Sequence, residues 1–227
     1  MPSISAIVPT LNEAEHIEAT LAALRRIPGL EVVLVDGGST DGTIERASDQ
    51  VDTLERAAPG RAGQMNAGAE VARGDVLWFV HADTRVPAEA GARIDAAVAG
   101  GRAWGRFDVR LSGRHPGLAV VAWFMNRRSC LTGIATGDQG IFVTRSAFDA
   151  VGGYPAIPLM EDVAMSRRLK RLGRPACLAG PLETSGRRWE ANGLIRTVLL
   201  MWRLRLAYAL GVDPARLHRR YRLSARG

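Results

Sequence analysis

Short apolar runs punctuate the first part of the chain. Ile4 to Val8 is closed by Pro9, Val32 to Val35 follows, and Val76 to Val80 comes third. Each is continuous rather than alternating, as expected of a strand buried on both faces. Between them the period lengthens. Ile17, Leu21 and Leu24 share one helical face, in a helix opened by Asn12 or Glu13 and stopped near Pro28-Gly29. Ser39 or Asp41 is placed to cap the next helix. Thr53 to Glu55 reads as a further strand and Arg61 to Val71 as a helix. Strands alternating with helices at these lengths predict an α/β fold with a parallel sheet and right-handed crossovers.

Beyond residue 100 the pattern changes. Trp104 to Leu111 alternates apolar and polar positions, as in an antiparallel or edge strand. Leu118 to Met125 predicts a helix, Gly140 to Thr144 a strand, and Asp162 to Leu172 a helix carrying Arg167, Arg168, Lys170 and Arg171. Leu194 to Val212 is almost wholly apolar but is interrupted by Arg196, Arg203 and Arg205. Spanning a bilayer takes roughly 20 apolar residues, and a central Arg costs about 2.5–3.5 kcal/mol. The segment therefore reads as a helix lying on an anionic membrane surface, or packed on the core or a second subunit. Asp213-Pro214 then starts a short basic helix bearing Arg216, Arg219, Arg220 and Arg222.

Composition bounds these readings. The chain has 227 residues, of which 47% are hydrophobic, enough for one α/β domain with a C-terminal extension. There is no internal repeat and no low-complexity linker. The N-terminus enters a strand almost at once, which is unlike a targeting segment. Cys130 and Cys177 lie far apart and match no metal spacing, so they read as two reduced cytosolic thiols. Net charge is divided: residues 1–100 sum to −7 and residues 101–227 to +14. The acidic half suits a cation, the basic half phosphate or an anionic surface. Lys170 is the sole lysine; arginine grips phosphate bidentately, although a general bias toward Arg and Ala is the favoured account of the ratio.

Acidic residues stand beside the apolar runs. Asp36 follows the second run in Val35-Asp36-Gly37-Gly38-Ser39-Thr40-Asp41-Gly42-Thr43, and Asp83 follows the third in Phe79-Val80-His81-Ala82-Asp83. Asp138 precedes Ile141-Phe142-Val143, and Glu161-Asp162 precedes the basic helix. Ligands of open α/β sheets bind beyond the carboxyl ends of the strands, where Asp36 and Asp83 fall. With Ile7-Val8-Pro9-Thr10-Leu11-Asn12-Glu13, Gly60-Arg61-Ala62-Gly63-Gln64-Met65-Asn66-Ala67-Gly68 and Gly152-Gly153-Tyr154-Pro155, six motifs occur in order. Together they resemble a family 2 glycosyltransferase of the GT-A type, over nearly the whole chain from Ile4 to about Trp189.

The resemblance implies a GT-A fold: a mostly parallel, Rossmann-like sheet flanked by helices over residues 1–190, with a helical extension over 191–227. It implies a nucleotide-sugar site built from Pro9, Thr10, Asn12, Glu13, Asp36 and Gly38, in which carboxylates accept from a base or ribose. Arg61 and Asn66 face the nucleotide from their helix. His81-Ala82-Asp83 aligns with the family's Asp-x-Asp motif, which holds Mn²⁺ or Mg²⁺ across the diphosphate. Here His81 replaces the first acid, leaving Asp83 and His81 as metal ligands. Asp162, supported by Glu161, is the implied base that deprotonates the acceptor hydroxyl. Gly137, Asp138 and Gln139 line the acceptor or diphosphate side, as do Arg188 and Trp189, although Ser185 stands where processive members carry glutamine.

The expectation is transfer of one sugar, with inversion, from a nucleotide-diphospho-sugar to a small or lipid-linked hydroxyl acceptor. A UDP-sugar is favoured over a GDP-sugar. The protein is placed in the cytosol, with residues 194–222 at the inner membrane face or in a homodimer. A retaining transferase on the same fold stays open. A sugar-phosphate nucleotidyltransferase is disfavoured, because Pro9-Thr10-Leu11-Asn12-Glu13 holds neither glycine nor a basic residue. A non-catalytic binder of anions is the remaining alternative; no nucleic-acid motif is present.

Overall fold

A computed structural model describes residues 2–223; the side chains of Arg188, Arg222 and Leu223 lie outside the described set. Along the chain come β1 (Ile4–Thr10), α1 (Ile17–Leu24), β2 (Glu31–Asp36), α2 (Thr43–Ala47), β3 (Thr53–Arg56) and α3 (Arg61–Val71). They are followed by β4 (Val76–Phe79), β5 (Thr84–Arg85), α4 (Ala90–Ala99), β6 (Trp104–Ser112), α5 (Gly117–Thr132) and β7 (Phe142–Thr144). The last part holds α6 (Arg145–Ala150), α7 (Glu161–Leu169), β8 (Ala176–Ser185), α8 (Arg187–Asn192), α9 (Leu194–Ala209) and α10 (Pro214–Leu223).

The strands form one eight-stranded sheet in the order β3-β2-β1-β4-β7-β6-β8-β5. The first four are mutually parallel, as expected. The second half departs from a parallel sheet: β7 runs antiparallel to both β4 and β6, and β5 antiparallel to β8, while β6 and β8 are parallel. The chain enters β7 from the end where β4 leaves the sheet, so β7 runs back against it.

Both faces of the sheet are covered, which explains the unbroken apolar runs. Val32 and Leu34 face α1, packing with Ile17, Leu21 and Leu24. Val33 and Val35 face the other way, with Met65 and Ala69 of α3. At Gly68 the α3 backbone comes so near the sheet that a Cβ would lie 2.5 Å from Ile7 Cγ2. The close approach allows glycine alone.

Four sequence expectations need correction. The first helix starts at Ile17 rather than at Asn12 or Glu13, because Asn12 adopts a left-handed φ of 55° and its side chain accepts from Thr40 N. The helix after β2 starts at Thr43: Ser39 Oγ accepts from Asn12 N instead of capping, while Asp41 accepts from Thr43 N and Ala14 N. Cys130 and Cys177 are disulfide-bonded, tying α5 to β8; tertiary packing closes a 47-residue separation that spacing rules did not anticipate. The helix predicted over Leu118 to Met125 continues to Thr132.

The C-terminal helices pack on the domain. Trp189, Leu194 and Val198 join Val109, Leu111 and Leu118. Leu204 and Leu217 pack with Met160 and Val163 at the start of α7. The other side of α9 presents an exposed stripe of Ile195, Leu199, Trp202, Leu206 and Leu210. Among the described residues no helix is long and apolar enough to cross a membrane.

Candidate active site

The ends of β1, β2 and β4 and the start of α7 converge on one crevice. At its β2 side, Asp36 is 1% exposed. Its carboxylate accepts from the amides of Gly38, at 2.8 Å, and Ser39, at 3.0 Å. The acid thereby shapes the glycine turn, with Gly38 at φ 94°. Gln64 of α3 locks this turn to β1, its Nε2 donating to the carbonyls of Thr10 and Val35. Thr10 Oγ1 is buried without a protein partner. Pro9 pairs with Val35 in the ladder just behind.

The β4 end carries the second group. Ala82 is buried, its carbonyl accepting from Thr20 Oγ1 at 2.7 Å. Asp83 keeps 18% of its side chain exposed, with Oδ1 accepting from Thr184 Oγ1. Its Oδ2 lies 3.7 Å from the Arg187 guanidinium, which also meets both oxygens of Glu13 at 3.0 Å. Arg187 thus spans the gap between the β1 loop and the β4 loop. Arg188, expected from the sequence to meet the diphosphate or acceptor, has its side chain outside the described residues; its neighbour Arg187 in Arg187-Arg188-Trp189 makes these contacts.

Across the crevice lies the acid pair. Met160 precedes α7 with a left-handed φ of 70°, an uncommon conformation for a non-glycine residue of the kind that collects at functional sites. Glu161 and Asp162 are 5% and 8% exposed. Glu161 meets Arg61 of α3 at 3.6 Å. Asp162 Oδ2 accepts from Gly137 N at 2.8 Å, while its Oδ1 is buried without a protein partner. Burial, then the neighbouring Glu161 charge, pushes the Asp162 carboxyl up to about 7, against the opposing pull of Arg61, His81 and the Gly137 amide. Tyr154, fully buried, has an unpartnered hydroxyl. Burial and both acids raise it above its ordinary value.

His81 joins the two sides. Its Nδ1 faces Asp138 at 3.3 Å. Its Nε2 is buried without a partner and sits so close to Gly137 that a Cβ there would lie 2.2 Å away. The ring therefore braces the Gly137–Asp138 turn, and through it Asp162.

Besides Asn12, held by Thr40 N, and Asp36, held by its own turn amides, three more expected site residues are occupied otherwise. The Asn66 amide donates to the Tyr154 carbonyl and accepts from Tyr154 N, which places it as a brace for that loop. Gln139 is fully buried, donating to Ser129 Oγ behind the wall. Trp189 packs with Val109 and Leu118. Gln64, Tyr154, Thr184 and Arg187 had no role assigned from sequence, although Gln64 and Tyr154 lie inside the quoted motifs.

No three His, Cys, Asp or Glu side chains gather as a metal-ligating group among the described residues. Asp83, 18% exposed, opens on the crevice at the β4 end. Mg²⁺ and its relatives are commonly held by one or two carboxylates, with substrate phosphates and water completing the shell. The donor set fits a hard divalent cation that arrives with a diphosphate.

An α/β sheet with carboxylates at its strand ends and a buried acid pair opposite is the architecture of a GT-A transferase. Residues 5–145 match the family described as Glycosyl transferase family 2, and the chain belongs to it. The beta-monoglucosyldiacylglycerol synthase of Synechocystis sp. is 26% identical over 239 residues, covering 92% of this chain and 48% of that protein. The chain spans about half the length of that curated relative. Among solved structures, the mannosyltransferase PcManGT from Pyrobaculum calidifontis, in complex with GDP-Man and Mn²⁺, superposes with a TM-score of 0.66 at 21% identity. The overlap covers 91% of this chain and 61% of that one. Glucosyl-3-phosphoglycerate synthase from Mycobacterium tuberculosis, solved with Mn²⁺, UDP and glucosyl-3-phosphoglycerate, gives 0.65 at 17% identity over 86% and 76%. These likenesses establish the GT-A fold.

Proposed function

We propose that this protein transfers a single sugar from a nucleoside-diphosphate sugar to an acceptor hydroxyl, with inversion. The observation that carries this reading is Asp162: a buried carboxylate with one oxygen held by Gly137 N and the other without a partner. A carboxylate so placed accepts the proton of a hydroxyl as that hydroxyl attacks the anomeric carbon. The pull of burial and Glu161 brings its proton affinity near neutral, where a general base works best. Glu161 and Arg61 set the local field, and His81 with Asp138 holds the Gly137 turn in register. At the donor end, Thr10 Oγ1 and the Asp36 turn receive the nucleoside. Asp83 would hold a divalent cation that arrives with the donor's phosphates, and that cation would supply charge neutralisation for the leaving diphosphate. When the donor enters, Arg187 exchanges Glu13 and Asp83 for phosphate oxygens.

The acceptor is lipid-linked in this reading. The exposed stripe of α9 carries Trp202 among aliphatic residues, with exposed Arg196 and Arg203 on the same helix. That combination of apolar and cationic side chains fits an anionic bilayer surface. The relative that acts in diacylglycerol glycolipid synthesis by its name is consistent with such an acceptor.

The test is thermal unfolding with UDP-glucose, UDP-N-acetylglucosamine and GDP-mannose, each with and without Mn²⁺, on wild type and Asp83→Ala. A ligand at 100 times its Kd adds about 2.7 kcal/mol. Stabilisation by one nucleotide that needs Mn²⁺ and is lost in Asp83→Ala is the expected result. No shift with any nucleotide would overturn the reading.

A further inference from the structure

Arg128 on α5 and Arg205 on α9 both lie by Ile134: its carbonyl accepts from Arg128, and its side chain clusters with Leu204. The two helices meet near their starts. At the start of α5, a Cβ on Gly117 would lie 2.9 Å from Leu194 at the start of α9. Met125 and Val198 pack in one cluster with Leu118 and Val121. Arg128 and Arg205 stand equally far along their helices from that contact, about three turns on.

Both side chains are partly buried. Arg128 Nη1 donates to the Ile134 carbonyl at 3.2 Å, just before the strip that delivers Gly137 N to Asp162. Among the described residues neither guanidinium forms an ion pair with a carboxylate, whereas nearby Arg106 is engaged by Asp108 and the Asn126 carbonyl. Burial, then the Arg205 and Arg106 charges, pushes Arg128 down to about 9. Burial lowers Arg205 also, while Asp162 and Asp138 act in the opposite sense. Packing fixes the address: Leu204, next to Arg205, clusters with Met160 and Val163, which flank the acid pair, and with Ile134, whose carbonyl accepts from Arg128. Because a guanidinium keeps its proton at neutral pH, the repulsion is not relieved by titration. An anion between the two would relieve it.

We propose that Arg128 and Arg205 bind a phosphate group carried by the acceptor, and so hold the acceptor with its hydroxyl toward Asp162. The word acceptor rests on the transferase reading above; the anion site itself does not. Two guanidinium forks match the tetrahedral, doubly charged phosphate better than a single carboxylate. The phosphate has two possible sources, a soluble phosphorylated acceptor or a lipid phosphate, and the test separates them.

The protein is first saturated with UDP and Mn²⁺, so that the donor end is filled. Thermal shifts are then measured with inorganic phosphate, glycerol phosphate and octyl phosphate, with octanol as the uncharged control. The proposal expects stabilisation by the phosphates and not by octanol. It also expects a loss of about tenfold or more in apparent phosphate affinity in Arg128→Gln and in Arg205→Gln, with the UDP shift retained. Octyl phosphate binding tenfold tighter than glycerol phosphate assigns a lipid source; equal affinities assign a soluble one. The proposal is overturned if no phosphate stabilises, if both variants keep wild-type affinity, or if bound UDP abolishes the phosphate effect. If the Gln variants do not fold, Arg205→Lys carries the test: it keeps the charge and loses the fork, so weakened phosphate binding supports the site and unchanged affinity overturns it. An absent UDP shift alongside Arg205-dependent phosphate protection would remove the donor reading and leave the anion site standing.

Discussion

Asp162→Asn separates the chemistry of the site from its cost to the fold. The carboxyl is held near 7 against an ordinary value of 3.8, because it is buried beside Glu161. A group whose native pKa is raised holds a proton that the unfolded chain has already released. The stability tied to that proton is therefore complete below about pH 3.8 and is lost as pH rises through about 7. One pKa unit corresponds to about 1.36 kcal/mol, so above pH 7 the wild type bears a penalty of about 4 kcal/mol that a neutral amide does not. For a chain of this size, 1 kcal/mol moves Tm by about 2–4 °C. The variant should therefore melt roughly 10 °C higher than wild type at pH 8, and close to wild type at pH 4. Calorimetry in EDTA reads this without metal at Asp83. The same substitution removes the proposed base and should lower kcat by about 10²–10⁴, with UDP binding retained. A Tm difference that is equal at pH 4 and pH 8 would refute the electrostatic argument. An unchanged kcat would refute the role of base.

Three further outcomes follow from the geometry. Arg187→Ala should leave Tm within a degree or two, because exposed ion pairs contribute about 0–1 kcal/mol; titration calorimetry should show UDP–Mn²⁺ binding weakened about tenfold, the loss of a charge-assisted phosphate contact. Breaking the Cys130–Cys177 bond with reductant, or by Cys177→Ser, should lower stability by about 4 kcal/mol on the chain-entropy estimate for a loop of this length, read from urea unfolding with and without dithiothreitol. Vesicles rich in phosphatidylglycerol should sediment the protein and blue-shift its Trp fluorescence, while pure phosphatidylcholine should not; Trp202→Ser with Leu206→Ser should abolish sedimentation, and binding that is indifferent to lipid charge would refute the membrane-facing reading of α9.

The buried polar atoms that lack protein partners include Thr10 Oγ1 at the β1 end, His81 Nε2, Tyr154 Oη and Asp162 Oδ1. Buried polar groups are ordinarily satisfied, and these four are atoms that a ligand bound as proposed would satisfy. The strained φ at Met160 and Asn12 falls at the same crevice. Stability is spent where the acceptor and the nucleoside would bind.

The sequence by itself determined the parallel half of the sheet and the positions of its carboxylates. Those features are local: an unbroken apolar run specifies a strand buried on both faces, and the acidic glycine turn after β2 is written in consecutive residues. It also placed Glu161 and Asp162 at a helix start, where the structure has them. What depended on contacts between distant residues was not legible. β8 is interrupted by Gly180 and Pro181 and carries no clean alternation, yet it pairs with β6 along most of its length. The disulfide, the Arg187 bridge from Glu13 to Asp83, and the diversion of Asn66 and Gln139 into bracing roles arise once the sheet brings separate segments together. Side-chain identity sets what a residue can do; which partner reaches it first, and whether water is excluded, is decided by tertiary packing.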